Sequence, residues 1–592
     1  MGFVSMPRYR RSMFMRPPTT HRSLPHRVAN RGRCVLALIC CALLVPAVSR
    51  PVAAQEQLGP QGGTVPAVAG NGDPALVVTL GSMDKLTNDV NYVTGIVGQP
   101  QAGAIFSMMA GQFTRGIDTT QPIGIVVTLV DGAPEPIALI PTADVKQVLK
   151  SIEPQTGPAD EQADGTLIIA LGPYVAHIRQ MGNWAAIARS SELLNQAPAN
   201  PNALFAGMGN DYDIAVRLKV QQVPPEARDM LIAQLRQGFE QAMAQQAEAD
   251  QDSTREMAEG TIKQLEMVIN DTDELKFGWN VDQPGKQMNI DVSFTAMPGT
   301  KLAQMYGGQH SIASNFSSVI RPDAAAYYHA ASSISPVAIE QAKKSVDGSL
   351  SALRKSMENS DKLDDEQRAE ISAMVDRLVK LMVDSISEGK MDMGGLLLAD
   401  ESDFKFAFGA FVSDGQEAAQ IVKDLAAKVK DEPNAPRFMF DQSTYNGVTM
   451  HRIEADVPES EDEVRSVFGD KLNVHLGTGA KSLYLAVGND SDSLMKELID
   501  SSGSDSSSNR PMAQLRLTLL PILQFAQSVE PNDSVAAMID ALSRAPDAGL
   551  ITAVGDSLPN GQSTRLTIGE GLLQAIGAAG RQAQQAAQAD QF

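Results

Sequence analysis

Five histidines lie beyond residue 54: His177, His310, His329, His451 and His475. No two stand within four residues of each other, and neither H-x-H nor H-E-x-x-H occurs, so no local spacing builds a metal site. His177 and His475 fall at matching places in two similar hairpins, YVAHIRQ and LNVHLG. They read either as a paired metal or proton site across a pseudo-twofold axis or as histidines on solvated strand faces. Alternation sets each on the polar side, opposite Ala176 and Ile178 or Val474 and Leu476, which favours the second reading. Arg217 and Arg516 also match, in two strictly alternating segments. They are the candidate ligand-binding residues, since a guanidinium fork grips an anion through two parallel bonds. The competing reading is a cross-strand ion pair with an acidic neighbour.

Other signals fall short of chemistry. Gly477–Ser482 (GTGAKS) has the flavour of a phosphate loop, but only Ala480 separates Gly479 from Lys481, and alternating segments flank it on both sides. It reads as a hairpin turn. The glycines of IGEGLLQAIGAAG (Ile568–Gly580) read as close helix packing. Asn489-Asp490-Ser491-Asp492 and Asn270-Asp271-Thr272-Asp273 lack the twelve-residue calcium loop, and their residue types already make turns and caps. No G-x-S-x-G is present. The sequence therefore names no catalytic residue, metal ligand or cofactor. A hydrolase built on scattered carboxylates stays open as a remote alternative.

The N-terminus is legible. Eight arginines and no acid occupy residues 1–33, an apolar run spans Cys34–Val48, and small residues lead to Ala54-Gln55. This predicts a secretory signal peptide over 1–54 cleaved between Ala54 and Gln55, with an uncleaved anchor as the alternative. At about 15 residues the run is short of the roughly 20 needed to span a bilayer, and no later run reaches that length, so no transmembrane span is expected after signal removal. All three cysteines, Cys34, Cys40 and Cys41, lie in this segment. The remainder then has no disulfide, thiol nucleophile or cysteine metal site. Taking the nine arginines of residues 1–54 from 49 basic residues leaves 40 against 70 acids, a net charge of −30. That balance excludes nucleic acid and anionic membrane surfaces as partners.

Residues 55–73 read as a disordered Gly/Pro/Gln-rich linker. From Pro74 one order of elements appears twice. A short strand leads to a helix, capped by Ser82 in one case and opened by Ser335-Pro336 in the other. A hairpin then feeds a helix capped by Thr142, or by Ser413 in a capping box with Gln416. A second hairpin turns at Met181-Gly182-Asn183, or at Thr478–Lys481, and feeds SSELLNQ or DSDSLMKELI. An alternating strand sets Ile214, Val216 and Leu218 against Ala215, Arg217 and Lys219, or Leu515 and Leu517 against Arg516, with the apolar side buried and the polar side wet. A last hairpin turns at Gln283–Lys286 or Leu558–Gly561 and feeds a terminal helix. This predicts an α+β tandem duplication. Copy one spans 74–308, a joint 309–321, and copy two 322–592. Each copy is a mainly antiparallel, hairpin-rich sheet with helices packed on one face, and the two sheets can join across a pseudo-twofold axis. Residues 500–509 read as a flexible loop.

The SSELL hairpin unit (Ser190–Leu194), the duplication and the export signal resemble uncharacterised exported bacterial proteins grouped only as a domain of unknown function, frequent in planctomycete genomes. The resemblance implies export and carries over no catalytic residue. The expected function is a secreted, periplasmic or envelope protein acting by binding or structure, its partner another envelope protein or an apolar small molecule. With 26 methionines and aromatics at 5%, a carrier of a lipid or other apolar ligand in a groove between the copies is the alternative.

Overall fold

Alternating strands joined by tight turns dictate hairpins, and hairpins that share one apolar face must join or be covered. The chain resolves this by building one sheet. The computed structural model describes residues 74–130, 132–244, 251–358, 365–430, 435–502 and 509–589. The expected signal with its three cysteines, residues 55–73 and most of 500–509 lie outside the described residues.

The first half runs β1 (Leu76–Leu80), α1 (Met83–Ile96), α2 (Pro100–Phe113), β2 (Ile123–Val130), β3 (Ala133–Pro141), α3 (Val145–Thr156), β4 (Asp160–Glu161), β5 (Leu167–Leu171), β6 (Tyr174–Met181) and β7 (Trp184–Ala188). It continues with α4 (Ser191–Leu194), α5 (Pro201–Phe205), β8 (Ile214–Lys219), α6 (Pro225–Ala244), α7 (Gln251–Asp271), β9 (Thr272–Asp282), β10 (Gln287–Ala296) and α8 (Lys301–Tyr306). The second half runs β11 (Ala326–Ser333), α9 (Pro336–Glu358), α10 (Asp365–Ser387), β12 (Lys390–Ala399), β13 (Phe404–Phe411), α11 (Gly415–Val429), β14 (Arg437–Tyr445), β15 (Val448–Asp456) and α12 (Asp462–Phe468). It ends with β16 (Lys471–Thr478), β17 (Ser482–Gly488), α13 (Ser491–Ser501), β18 (Ala513–Thr518), α14 (Leu519–Val529), α15 (Asp533–Arg544), β19 (Leu550–Leu558), β20 (Gly561–Gly569) and α16 (Glu570–Ala589).

Among the described residues all 20 strands belong to one sheet, and every pairing among them is antiparallel. The order across it is 4-5-6-7-3-2-1-8-9-10, then 20-19-18-11-12-13-17-16-15-14. Followed from either edge, the same succession of hairpins and crossovers is met, and the halves join where β10 pairs with β20, Ile290 opposite Leu566.

Helices cover both faces of the two wings, not one face as the sequence predicts. On one side α3 sets Val145 and Leu149 against Ile169, Ile178 and Ala185. On the other side α4 and α5 bring Leu193, Leu194 and Phe205 onto Val77, Val126 and Ile137. In the second half α13 packs Leu494, Met495 and Leu498 onto Leu396, Ala407 and Ala486. The reason is that the wing strands are apolar on both faces, so each face needs its own cover.

Two caps also move. The side chain of Asp144, not Thr142, caps α3 by accepting from the Lys146 N–H; the Thr142 hydroxyl bonds Gly116 O at 2.6 Å instead. Asp414, not Ser413, caps α11, accepting from the N–H groups of Gln416 and Glu417. In both cases an aspartate one or two residues further on out-competes the hydroxyl, as a charged acceptor at a helix N-terminus should. The helix α2 has no counterpart in the sequence reading.

Candidate apolar binding face

At the centre of the sheet the pattern of the wings breaks down. Opposed residues in an antiparallel ladder point to the same face, so register alone defines which side chains share a surface. One row runs Ile125, Val78, Val216, Phe277 and Val292 across β2, β1, β8, β9 and β10. It continues through Thr564, Gly555, Ala513, Ala330, Met393 and Ala410 as far as β13. The neighbouring row on that face includes Leu80, Ile214, Trp279, Ile290, Leu566, Leu515, Tyr328 and Phe408. Across eleven strands neither row contains a charged side chain.

This apolar face is open in the middle. Phe277 is 40% exposed, Val292 49%, Ile125 43% and Leu515 39%. On the central strands β9, β10 and β20 the opposite face is polar and internally bonded. Arg565 on β20 clasps Asp291 on β10 with bonds of 2.7 and 2.8 Å, and Tyr212 donates to the same carboxylate at 2.8 Å. These contacts hold Asp291 below the usual carboxylate range against its partial burial, and burial with the Asp291 contact pushes the Tyr212 phenol up to about 12. The expected assignment of wet and buried sides on β8 is therefore inverted: Ala215 is 2% exposed and the preceding Asp213 is 0% exposed, while Val216 faces the open side. Alternation reports which face is apolar; whether anything covers it depends on the rest of the chain.

The open stretch is bounded by helices. At one end α3 stands on Ile169 and Ile178. At the other α11 lies beside β16 and β17, where Leu476 and Leu485 are buried. Phe525 of α14 packs on Phe404 at the start of β13, with ring centroids 5.5 Å apart. Exposed apolar side chains continue onto the helices, with Met108, Met109 and Phe113 on α2 and Met230 and Leu231 on α6. A cleft of about 330 Å³ on α6, lined by Asp229, Ile232, Ala233, Arg236 and Gln237, has a mixed lining and shares no residue with this face.

Two buried polar clusters lie elsewhere. At the start of α1, Lys85 donates to Asp213, to Asp89 at 3.1 Å and to Asn280 at 2.9 Å, using all three ammonium protons. Asp213 also accepts from the Val281 N–H at 2.7 Å, and Gln283 donates to Asp89 at 2.5 Å. Two nearly inaccessible carboxylates thus share one cation. Burial, followed by the neighbouring Asp89, pushes the Asp213 carboxyl up to about 6. In the joint, Ser314 donates to Asp392 at 2.6 Å and lies 2.9 Å from His329 Nε2. Serine stands between histidine and aspartate here, so the imidazole does not take the serine proton as it would in a nucleophilic triad. Burial pushes His329 down to about 4 and Asp392 up. The cluster fastens the joint to β11 and β12.

The remaining candidates fall as follows. Arg217 donates to the carbonyl of Leu204 at 3.3 Å and Arg516 to that of Pro322 at 3.2 Å. They occupy the eighth and thirteenth strand positions, so the sheet does not bring them into one anion site. His177 on β6 and His475 on β16 lie fifteen positions apart. Each is near a carboxylate of the helix that follows its hairpin: Glu192, held below the ordinary carboxylate range first by its backbone N–H and then by the Ser190 hydroxyl, and Asp492, held there against its burial mainly by Lys496. His451 is buried between the Asp441 N–H and Thr478, and His310 bonds Ser333 and Gly308. Thr478 to Ser482 is a hairpin turn. Asp490 bonds the nearby Ser493, and Asp271 accepts from the Leu302 N–H at the start of α8. Among the described residues no group of three or more His, Cys, Asp or Glu side chains is placed to hold a metal ion, and no helix is long and apolar enough to cross a membrane. Ala54 and Gln55 lie outside the described residues.

No family model matches the chain, and no curated protein matches it. Two solved structures are similar to part of it. Crystal form IV of TP0453 is 7% identical, with 39% of this chain and 82% of that chain covered and a TM-score of 0.20. Crystal form III of TP0453 is 7% identical, with 40% and 82% covered and a TM-score of 0.21.

Proposed function

We propose that this is an exported, non-enzymatic binding protein of the cell envelope or its surroundings, and that it holds an apolar ligand against the open face of its sheet. The observation that carries the reading is the uncharged double row across eleven strands whose central members, Phe277 and Val292, stand 40% and 49% exposed. Soluble proteins rarely leave a contiguous apolar surface of this kind uncovered unless something binds it. Export rests on the basic, acid-free N-terminus, the apolar run and the Ala54-Gln55 junction; membership of the exported planctomycete-type family is part of the same proposal.

The chain on this reading is a tandem duplication, copy one over 74–308 and copy two over 322–592. The strand order 4-5-6-7-3-2-1-8-9-10 matches 14-15-16-17-13-12-11-18-19-20 position for position, which supports it. The parallel carbonyl bonds of Arg217 and Arg516 support it further. Duplication then accounts for the length of the face, because each copy contributes half and the join falls in its middle.

The test is direct. Residues 55–592 are expressed, purified without detergent and extracted with organic solvent for mass spectrometry. A stoichiometric apolar compound is the expected result; a ligand-free protein that also fails to take up an uncharged apolar dye overturns the reading.

A further inference from the structure

We infer that the α1–α2 hairpin is a hinged flap, latched to the sheet by one buried polar cluster, and that the latch loosens as pH rises. Burial comes first. The one buried residue of α1 is Asp89, and that of α2 is Gly103. Gly103 seats α2 on α1, where Asn91 and Thr94 leave no room for a Cβ. Leu86, Val90 and Val93 of α1 are only half-buried, and Ile105, Met108, Met109 and Phe113 of α2 are 52–63% exposed. The two helices therefore pack on each other, and neither adds a residue to the wing cores. A segment with so few buried apolar contacts opens at a lower free energy than the body that carries it. Glycines stand at both of its ends. Gly81 precedes α1, and Gly116, at φ +85°, lies between α2 and β2. The strand ends beyond them, Leu80 and Ile123, are opposed in the ladder. The hairpin thus hangs from two neighbouring strands, with a hinge at each.

Polar bonds do the holding instead. Lys85 and Asp89 tie the start of α1 to Asp213, Asn280 and Gln283. Further along, Tyr92 donates to Glu570 of α16 at 2.8 Å, and the Val97 carbonyl accepts from Arg581. With every group ionised, the Lys85 cluster sets two carboxylates against one ammonium and carries a net negative charge out of water. A proton on Asp213 makes it neutral, which is the cheaper state to bury. The Asp213 carboxyl, pushed up to about 6 by burial and then by Asp89, gives the same sign. The latch is at full strength below about pH 4 and weakens as pH rises through 6. The other ionisable groups around α1 do not reverse this. Burial and then Glu570 push the Tyr92 phenol well up, so it stays a donor, and the Asp282 and Asp547 carboxylates add to the negative field around it. Arg581 is a fixed cation on a carbonyl, Asp84 is exposed, and Tyr212, next to Asp213, is turned to Asp291. Because the hinges continue into β1 and β2, release of the flap changes the rim of the open face. That consequence rests on the apolar-ligand reading above; the latch does not.

Amide hydrogen exchange of residues 55–592, followed by mass spectrometry at pH 5, 6 and 7.5, tests the flap. Each rate is divided by the intrinsic rate at that pH. Peptides from 83–113 should open more often than those from β6 and β7. Their opening should rise about tenfold from pH 5 to 7.5, the change that a carboxyl raised to about 6 imposes over that interval. Asp213→Asn should hold the rise within about twofold. Tyr92→Phe removes only the α16 contact. It should raise opening about fivefold at every pH and keep the slope, which leaves the flap testable should Asp213→Asn fail to fold. Exchange of 83–113 in step with β6 and β7 overturns the flap. Early opening that is equal at all three pH values, or a slope that survives Asp213→Asn, overturns the latch. None of these outcomes decides the apolar-ligand reading, which dye uptake tests separately.

Discussion

Phe277 on β9 and Val292 on β10 face each other directly across the ladder, on the same side of the sheet, and neither is covered by a helix as Ile169 and Ile178 are in the wing. A cross-strand aromatic–aliphatic pair stabilises a sheet by roughly 0.2–1 kcal/mol even when partly wet, so the strands gain something from it. The larger gain, exclusion of water, is left for another molecule to supply.

A charge placed in that pair should separate binding from folding. Val292→Asp puts a carboxylate where half the side chain already meets solvent, so the expected stability change stays within about 1 kcal/mol. Binding of an uncharged apolar dye should fall by at least tenfold. Circular dichroism and a urea titration check the first half, and dye fluorescence the second. Unchanged dye affinity with an intact fold would show that the ligand sits elsewhere.

Asp213 and His329 pull the pH dependence of stability in opposite directions, and Asp392, which burial also raises, adds to the Asp213 side. The Asp213 carboxyl is raised to about 6 in the folded chain, so its contribution is fully present below about pH 4 and is lost as pH rises through 6. The His329 ring is lowered to about 4, so its contribution is fully present above about pH 6.5 and is lost as pH falls towards 4. Each shift corresponds to on the order of 3 kcal/mol. These contributions therefore partly offset each other between pH 4 and 7, and single substitutions separate them. His329→Gln should steepen the loss of stability with rising pH, and Asp213→Asn should expose the loss on acidification. Urea midpoints at half-unit intervals measure both; profiles parallel to wild type would refute the assignment.

Asp213→Asn has a second consequence. One carboxylate oxygen takes Lys85 and the other takes the Val281 N–H. An asparagine can accept with only one of its two terminal atoms, so one buried donor is left unmatched. At pH 7 the variant should lose about 1–3 kcal/mol, visible as a lower urea midpoint with unchanged slope. A gain in stability would mean that the shared negative charge, not the hydrogen bonds, dominates the site.

What could be read from the chain and what could not divides by range. The turns at Met181–Asn183 and Leu558–Gly561 and the cap at Ser82 are local chemistry, and they fall where the residues put them. The helix α2 escaped because PQAGAIFSMMAGQF carries no charge to mark a wet side and two glycines that lower its helix propensity. The open face itself was half legible. Ile214, Val216 and Leu218 announce an apolar surface, but the absence of a cover is a property of where the strands place the helices. Arg217 and Arg516 were visible as a matched pair, and the carbonyls they bond lie 13 and 194 residues away in sequence.

The terminal helix tests how closely the second half is bound to the first. Arg581 of α16 donates to the carbonyl of Val97 at the end of α1 at 2.8 Å. A Cβ at Gly577 would lie 2.4 Å from that same carbonyl oxygen and 2.7 Å from the Val97 Cα, both backbone atoms that cannot swing aside. Gly580, one turn on, has nothing within 4 Å of its added Cβ. Both glycines are helical, so alanine should improve the intrinsic helix propensity by up to about 1 kcal/mol at either place. Gly580→Ala should show that gain, while Gly577→Ala should push α16 off α1 and cost about 1–3 kcal/mol, the range for inserting a methyl into a packed contact. The difference between the two midpoints cancels propensity and isolates the contact. If the variants behave alike, α16 does not clamp the first half in solution, and the Arg581 bond to Val97 is a frayed surface contact.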